Sequence, residues 1–242
     1  MDILELFAIA LAPGVAIMLF IYLKDKHERE PITLLFISFL YGVTSTFLTL
    51  VFSEPLKYLV SIKQDSVVDQ FIEAFFKVAL VEESCKFLFV RGILYYNKNF
   101  NEPFDGIVYA VMVGMGFATL ENVLYAFNFG METALLRMFT AVPAHATFAV
   151  MMGYYLGKAK FTHRRGLSFA ALALVAPVIF HGAYDYFLMI AEVQGIWTGI
   201  WVLAFFSLAI GILLSRNAIR LHQQASPFIT QKAVDSDPSL PV

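Results

Sequence analysis

Seven apolar segments, each about 20 residues long, divide the chain. About 20 apolar residues cross the hydrocarbon core of a bilayer as an α-helix, so each segment predicts one transmembrane helix. The chain is 59% hydrophobic and 15% charged, whereas soluble domains carry about 25% charged residues. The sequence therefore predicts an all-α, polytopic membrane helical bundle with spans at 3–23, 32–52, 70–91, 105–128, 135–157, 167–190 and 196–215.

The lysines and arginines between these segments indicate the orientation of the bundle. Short cytoplasmic loops are enriched in both residue types. If the N-terminus lies outside, twelve lysines and arginines fall in inner segments, and only Lys57 and Lys63 fall in an outer one. Lys77, Lys86 and Arg137 lie inside spans. We therefore predict an N-out, C-in topology.

The two ends of the chain indicate its domain organisation. The first residues, MDILELF, carry acids where a cleavable signal peptide would carry lysine or arginine, so residues 3–23 are interpreted as the first span. From His222 onward the chain has Ser, Gln, Asp and Pro without periodicity, which is typical of disorder. We therefore predict an integral membrane domain over residues 1–221 and a disordered cytoplasmic tail over residues 222–242.

Charge, cysteine content and missing motifs narrow the function classes. The net charge of −2 does not favour binding to nucleic acid. Cys85 is the single cysteine, so the chain forms no internal disulfide, and no helical neighbour would activate its thiol. The sequence lacks the HExxH zinc motif and the G-x-S-x-G nucleophile elbow. Serine and cysteine hydrolysis are therefore disfavoured, and composition implies the lipid bilayer as a partner.

Acidic and imidazole side chains lie inside four of the spans. Intramembrane ionisable residues are rare and costly, and they mark functional sites by default. At about 1.5 Å of rise per residue, depths from the outer boundary come to about 8 to 18 Å for Glu82, Glu83, His145, His181, Glu121 and Asp185. Four helices thus place acid or imidazole groups in one layer, slightly outside the midplane.

The third span contains the motif EExxK, formed by Glu82, Glu83 and Lys86. Spacings of i+4 and i+3 bring the lysine beside both glutamates. One carboxylate can then stay ionised, with Glu82 favoured through its i+4 spacing, while the other exchanges protons. Which glutamate has which role stays open. The structural alternative is that these charged residues only pair with one another and thereby fix how the helices pack.

The other three spans supply the remaining candidates. Phe117 and Glu121 share a face of the fourth span, where Asn122 also suits a helix–helix hydrogen bond. In the fifth span His145 follows Pro143, which frees a backbone carbonyl near the imidazole. A further pair lies in the sixth span, where His181 and Asp185 are spaced i, i+4 and face the same way. The aspartate can fix the imidazole tautomer or can itself bind a metal.

Carboxylates and imidazoles in this combination suit activation of water, with or without zinc. Zinc takes three or four ligands, which His145 and His181 with Glu121 or Asp185 could supply. The same groups also occur in the proton relays of transporters, so a proton- or ion-coupled transporter is the alternative function. Against it, the seven spans show no repeated halves. A non-catalytic scaffold that retains the fold is a third hypothesis.

Four motifs in order resemble one family of membrane proteases. EExxK at Glu82 to Lys86, FxxxEN at Phe117 to Asn122, the mid-span His145 and HxxxD at His181 to Asp185 resemble the PrsW-type intramembrane proteases. The charged loop KDKHEREP after the first span is also similar, so the resemblance covers residues 24–185. The wider CAAX-endopeptidase and bacteriocin-processing proteases typically have EExxxR. Here lysine stands one position earlier, which favours the PrsW branch.

The resemblance implies a multi-pass protease of the bacterial inner membrane. Its substrate would be a membrane-anchored protein, such as a single-span anti-sigma factor, cut near the outer face. One glutamate would act as the general base on water and then protonate the leaving amine. His145 and His181 would bind zinc or polarise the scissile carbonyl, with Glu121 or Asp185 orienting them. The family motifs leave the metal open, and the sequence does not specify an oligomeric state.

Overall fold

The computed structural model describes residues 3–59, 62–63, 65–162, 165–193 and 195–229. These residues form helices and no strand. Besides two short 3₁₀ helices (Leu94–Tyr96 and Thr198–Trp201), the helices in chain order are α1 (Ile3–Lys24), α2 (Ile32–Leu59), α3 (Val67–Ile72), a π-helical segment (Glu73–Ala79), α4 (Leu80–Gly92), α5 (Pro103–Phe129), α6 (Met131–Phe139), α7 (Ala141–Phe161), α8 (Gly166–Ile190) and α9 (Val202–Gln224).

Six helical stretches in the described part of the chain are long and apolar enough to cross a membrane. The prediction of an all-α, polytopic membrane bundle is therefore confirmed, while the N-out, C-in topology stays a prediction. The predicted third span, 70–91, is also helical, but α3, the π-helical segment and α4 share it and its charges make it less apolar. The predicted tail begins inside α9, which continues to Gln224, and residues 230–242 lie outside the described part.

Helix α5 lies at the centre of the bundle because its small residues admit close neighbours. Of its most apolar window 78% is buried, against 22% for α8 and for α9. A Cβ atom on Gly116 would meet the carbonyl oxygen of Phe39 on α2, and one on Gly153 of α7 would meet that of Gly106 on α5. In a bilayer helices associate through such close packing because lipid offers no hydrophobic driving force. The backbone of α5 therefore touches those of α2 and α7.

The π-helical segment leads directly into the helix that contains EExxK. It carries an i, i+4 ion pair, in which the Nζ of Lys77 lies 2.7 Å from the Oε2 of Glu73. Phe75 of the same segment packs against Gly182 on α8, where an added Cβ would meet its ring. Single π-helical turns occur frequently at functional sites, because they rotate the residues that follow relative to a regular α-helix.

The loop between α1 and α2 packs two of its three acidic residues into the protein. Asp25 and Glu30 are both buried, and the backbone N–H of Glu30 donates to the Oδ2 of Asp25 at 3.3 Å. The hydroxyl of Tyr109 on α5 donates to the carboxylate of Glu30. Burial raises the pKa of Asp25 to about 7 and the pKa of Glu30 to about 7. In the sequence this loop is a row of charges. In the structure Asp25 and Glu30 are buried, and the contact between Glu30 and Tyr109 joins the loop to α5.

Candidate active site

The glutamates and lysine of EExxK all point into the interior of the bundle. Glu82, Glu83 and Lys86 expose 8%, 1% and 3% of their surface. The Nζ of Lys86 lies 2.7 Å from the Oε1 of Glu83 and 3.3 Å from the Oε2 of Glu82. Each carboxylate is thus paired with the same ammonium, and the shorter contact belongs to Glu83. Sequence spacing alone favoured Glu82 for that role.

Helix α7 brings His145 against the ammonium of Lys86. The Nδ1 of His145 lies 3.3 Å from the Nζ of Lys86, and its Nε2 lies 2.8 Å from the Oε2 of Glu121 on α5. An ammonium group only donates hydrogen bonds, so Nδ1 must be the accepting nitrogen. The proton of the neutral imidazole is then on Nε2, which donates to Glu121. Glu121 therefore fixes the tautomer that leaves the Nδ1 lone pair facing the site.

Helix α8 supplies a histidine that contacts carboxylates through both ring nitrogens. The Nδ1 of His181 lies 2.9 Å from the Oε1 of Glu83, and its Nε2 lies 3.2 Å from the Oδ2 of Asp185 and 3.9 Å from the Oε2 of Glu82. The ring stacks on Phe148, with 4.8 Å between centroids. His181 therefore joins the EExxK carboxylates to Asp185, and its ring orientation is fixed.

The two histidines meet although they come from different helices. Their ring centroids lie 5.1 Å apart at an interplanar angle of 89°. Phe117 covers the site from α5, because the Nζ of Lys86 lies 3.8 Å from the centre of its ring. Asn122 faces elsewhere: its Nδ2 donates to the backbone oxygen of Ala10 on α1 at 3.4 Å. Phe117 is thus part of the site, and Asn122 joins two helices.

Arg137 on α6 belongs to the site, and the sequence interpretation did not include it among the candidates. Its Nη2 lies 2.6 Å from the Oε2 of Glu121, the oxygen that also contacts His145. Its guanidinium stacks on Tyr125 at 3.8 Å from the ring centre. The signal was present, since an arginine inside an apolar segment needs a partner. Glu121, its partner, precedes it by 16 residues and lies on the neighbouring span.

A cavity of about 620 Å³ opens onto these groups. Its lining includes the following ionisable residues of the site: Glu82, Glu121, Arg137, His145, His181 and Asp185. It lies between the beginnings of α4 and α7 and the ends of α5 and α8, which is the outer side in the predicted topology. Glu83 lies beneath this lining. One glutamate of the doublet can therefore meet a bound molecule, while the other supports it from below.

Four of these side chains converge closely enough to hold a metal ion. Glu82, Glu83, His145 and His181 each offer one ligand atom, and these atoms lie within 4.8 Å of one another. The Oε2 of Glu83 is buried without a hydrogen-bond partner in the described structure. Two imidazoles and two carboxylates suit zinc, so the residues fit the metal. The sequence placed Glu121 and Asp185 among its tentative ligands, whereas in the structure they contact the histidines from outside this group.

Comparison with known proteins identifies the family of the chain. The family described as PrsW family intramembrane metalloprotease matches residues 30–212. Protease PrsW of Geobacillus kaustophilus is 39% identical over 202 residues, covering 83% of this chain and 87% of the relative. Protease PrsW of Bacillus subtilis is 37% identical, covering 74% and 80%. Protease PrsW of Oceanobacillus iheyensis is 39% identical, covering 76% and 83%.

No solved structure matches the chain. The family match begins in the loop before α2 and ends within α9, so it contains every residue of the site described above. The relatives cover more than two thirds of the chain, and all three carry the name of a protease. These matches favour a protease over the transporter alternative. The chain belongs to the PrsW family of intramembrane proteases.

Proposed function

We propose that the protein hydrolyses a peptide bond of a membrane protein in the cavity, with Glu82 as the general base. The observation that carries this assignment is the position of Glu82, which lines the cavity, whereas Glu83 lies beneath it and is 1% exposed. A general base must reach the water from which it takes a proton. Glu82 can then return this proton to the amine nitrogen that leaves.

Glu83 has a different role in this proposal. In the metal-free protein its Oε1 lies 2.7 Å from the Nζ of Lys86 and 2.9 Å from the Nδ1 of His181, so two donors hold it as a carboxylate. Like charges side by side discourage simultaneous ionisation of both glutamates, and the better-paired carboxylate keeps its charge. Spacing in the sequence favoured the opposite assignment. The geometry supports Glu83 as the permanently ionised member and Glu82 as the one that exchanges a proton.

The residues that would hold a zinc ion are Glu83, His145 and His181. Three protein ligands with one position left for water or substrate are typical of catalytic zinc sites. A bound zinc ion supplies Lewis acidity toward the scissile carbonyl and toward water. Glu121 turns the Nδ1 of His145 toward the site, and Asp185 orients the ring of His181. Such outer partners fix tautomers and ring directions in metal enzymes.

The substrate in this proposal is a membrane-anchored protein, such as a single-span anti-sigma factor, cut near the outer face of the bacterial plasma membrane. The family supports a membrane protein substrate, and the predicted topology places the cavity on the outer side of the bundle. The cavity lies among helix ends, where the bundle gives way to short connections. A substrate segment just outside its own transmembrane helix would meet the cavity at that level.

Cleavage by glutamine variants tests the assignment of the base. A single-span anti-sigma factor with tags on both sides of its span would be reconstituted with the protein in proteoliposomes. We expect Glu82→Gln to lower the cleavage rate by about 10²- to 10⁴-fold, the usual contribution of a general base. Its metal content should stay unchanged, whereas Glu83→Gln should lose metal and activity together. Glu73→Gln is the matched control, since Glu73 pairs with a lysine at the same i, i+4 spacing. Normal cleavage by both Glu82→Gln and Glu83→Gln would disprove the proposal.

A further inference from the structure

The ammonium of Lys86 lies among the atoms that would bind a metal. It contacts three of the four converging residues, with its Nζ at 2.7 Å from Glu83, 3.3 Å from Glu82 and 3.3 Å from the Nδ1 of His145. We propose that Lys86 is a built-in counter-ion that occupies the metal group in the metal-free protein, and that a divalent ion binds there only by displacing the ammonium. This inference rests on the metal site proposed above and is independent of which glutamate is the base.

Among the described residues, the hydrogen bonds of Lys86 are all made within this group. An ammonium has three N–H donors, and Glu83, Glu82 and His145 supply three acceptors. On the remaining side the Nζ faces the ring of Phe117 at 3.8 Å, a cation–π contact. The ammonium is therefore held at the centre of the group, where it neutralises one of the two carboxylates.

Competition follows from the single lone pair of His145. An imidazole nitrogen has one lone pair in the ring plane, and the Nδ1 lone pair accepts from Lys86. The other nitrogen cannot replace it, because Nε2 lies 2.8 Å from Glu121 and donates to it. A metal that binds His145 must therefore take the lone pair that the ammonium uses. Carboxylate oxygens have further lone pairs, so Glu82 and Glu83 could be shared, but His145 could not.

Electrostatic repulsion also favours displacement of the ammonium by a bound metal ion. A monovalent and a divalent cation close together in a buried site repel each other strongly, because little solvent screens them. The four-carbon stem of lysine is flexible, so the ammonium can move away while the backbone of α4 stays in place. The site would then have two stable states, one occupied by the ammonium of Lys86 and one occupied by the metal ion. In the metal-free protein the ammonium neutralises one buried carboxylate, and it competes with a metal ion for the site.

Metal binding to three proteins tests this inference without any substrate. Full-length wild type, Lys86→Met and Lys77→Met would be stripped with a chelator in detergent and titrated with Co²⁺, whose visible absorption reports ligation. We expect Lys86→Met to bind Co²⁺ at least about tenfold more tightly than wild type, a change of the size that neighbours of metal ligands produce. Lys77→Met is the matched control, because Lys77 is paired with Glu73 at 2.7 Å outside the group. Its affinity should equal that of wild type.

Thermal unfolding gives a second readout on the same samples. Metal-free Lys86→Met should unfold at a lower temperature than wild type, because its carboxylates lose their counter-ion, and Zn²⁺ should restore more stability to it than to wild type. If Lys86→Met does not fold, Lys86→Gln keeps a donor without the charge and should show the same direction. Equal or weaker Co²⁺ binding by the folded variant, or binding by neither protein, would overturn the inference. Cleavage lost in Glu82→Gln bears on the proposed base alone.

Discussion

Replacement of Arg137 by methionine tests whether Glu121 acts by orienting His145. The Nη2 of Arg137 lies 2.6 Å from the Oε2 of Glu121, and the two side chains are 13% and 17% exposed. Removing one partner of a fully buried ion pair costs about 3–5 kcal/mol. His145 remains as a second donor to the same oxygen, and both groups keep some exposure. We therefore expect Arg137→Met to lower the free energy of unfolding by about 2 kcal/mol.

The effect on cleavage should be larger than a surface substitution would give. Without Arg137 the carboxylate of Glu121 is free to turn or to take up a proton, and His145 then loses the acceptor that fixes its tautomer. Loss of such an orienting partner lowers activity or metal affinity by about 10- to 100-fold. The fall should appear in kcat, because Arg137 acts through Glu121. Arg137→Lys keeps the charge but not the planar fork, so its defect should be intermediate.

A double-mutant cycle separates orientation from simple loss of charge. Glu121→Gln in the Arg137→Met background removes the unpaired carboxylate while the amide oxygen can still accept from His145. The double variant should therefore be more stable than Arg137→Met, with a coupling of about 1–2 kcal/mol. Unfolding would be followed in detergent and cleavage in proteoliposomes. Arg91→Met is the control, since Arg91 pairs with the hydroxyl of Tyr96 outside the site. Wild-type stability and cleavage by Arg137→Met would refute the reasoning.

Three further predictions concern other parts of the molecule. Burial raises the pKa of Glu30 to about 7, so its contribution to stability is full below about pH 4 and is lost as the pH rises through about 7. The free energy of unfolding of the wild type should therefore fall between about pH 6 and pH 8, and Glu30→Gln should remove about 1 kcal/mol of that change. Asp185→Asn should lower kcat about tenfold by loosening His181, with unchanged helix content by circular dichroism. Gly116→Ala should destabilise the fold by about 1–3 kcal/mol in thermal unfolding. Gly92→Ala is the control and should not destabilise it, because a Cβ on Gly92 meets only a side-chain atom at 3.9 Å.

Helical spacing and depth predict some of the side chains that approach one another. The i, i+4 spacing places Asp185 beside His181, and the structure has their atoms 3.2 Å apart. Comparing depths across spans placed Glu82, Glu83 and His145 in one layer, and Lys86 links all three. Both signals follow from the regular rise of a helix through a bilayer of fixed thickness. Spacing and depth are properties of single helices, so both can be calculated from the sequence.

Contacts that depend on tertiary packing were harder to predict. The sequence predicts one span over 135–157, whereas α6 ends at Phe139 and α7 begins at Ala141. That break places Arg137 on a short separate helix beside Glu121. The sequence shows the loop between α1 and α2 only as a run of charges, yet Glu30 is 3% exposed because Tyr109 binds it from α5. Neither partner is near in sequence, and periodicity reports only neighbours along one helix.

The touching backbones of α2, α5 and α7 have a consequence for membranes of different thickness. Helices in a bilayer that does not match their length usually tilt or slide. Here the glycine contacts join peptide backbone to peptide backbone, so tilting one helix alone would break close packing along its length. We expect the bundle to tilt as one body, which leaves the spacing between Glu121 and His145 unchanged. Lipid thickness should therefore shift where along a substrate the cut falls and leave the rate of the chemical step unchanged.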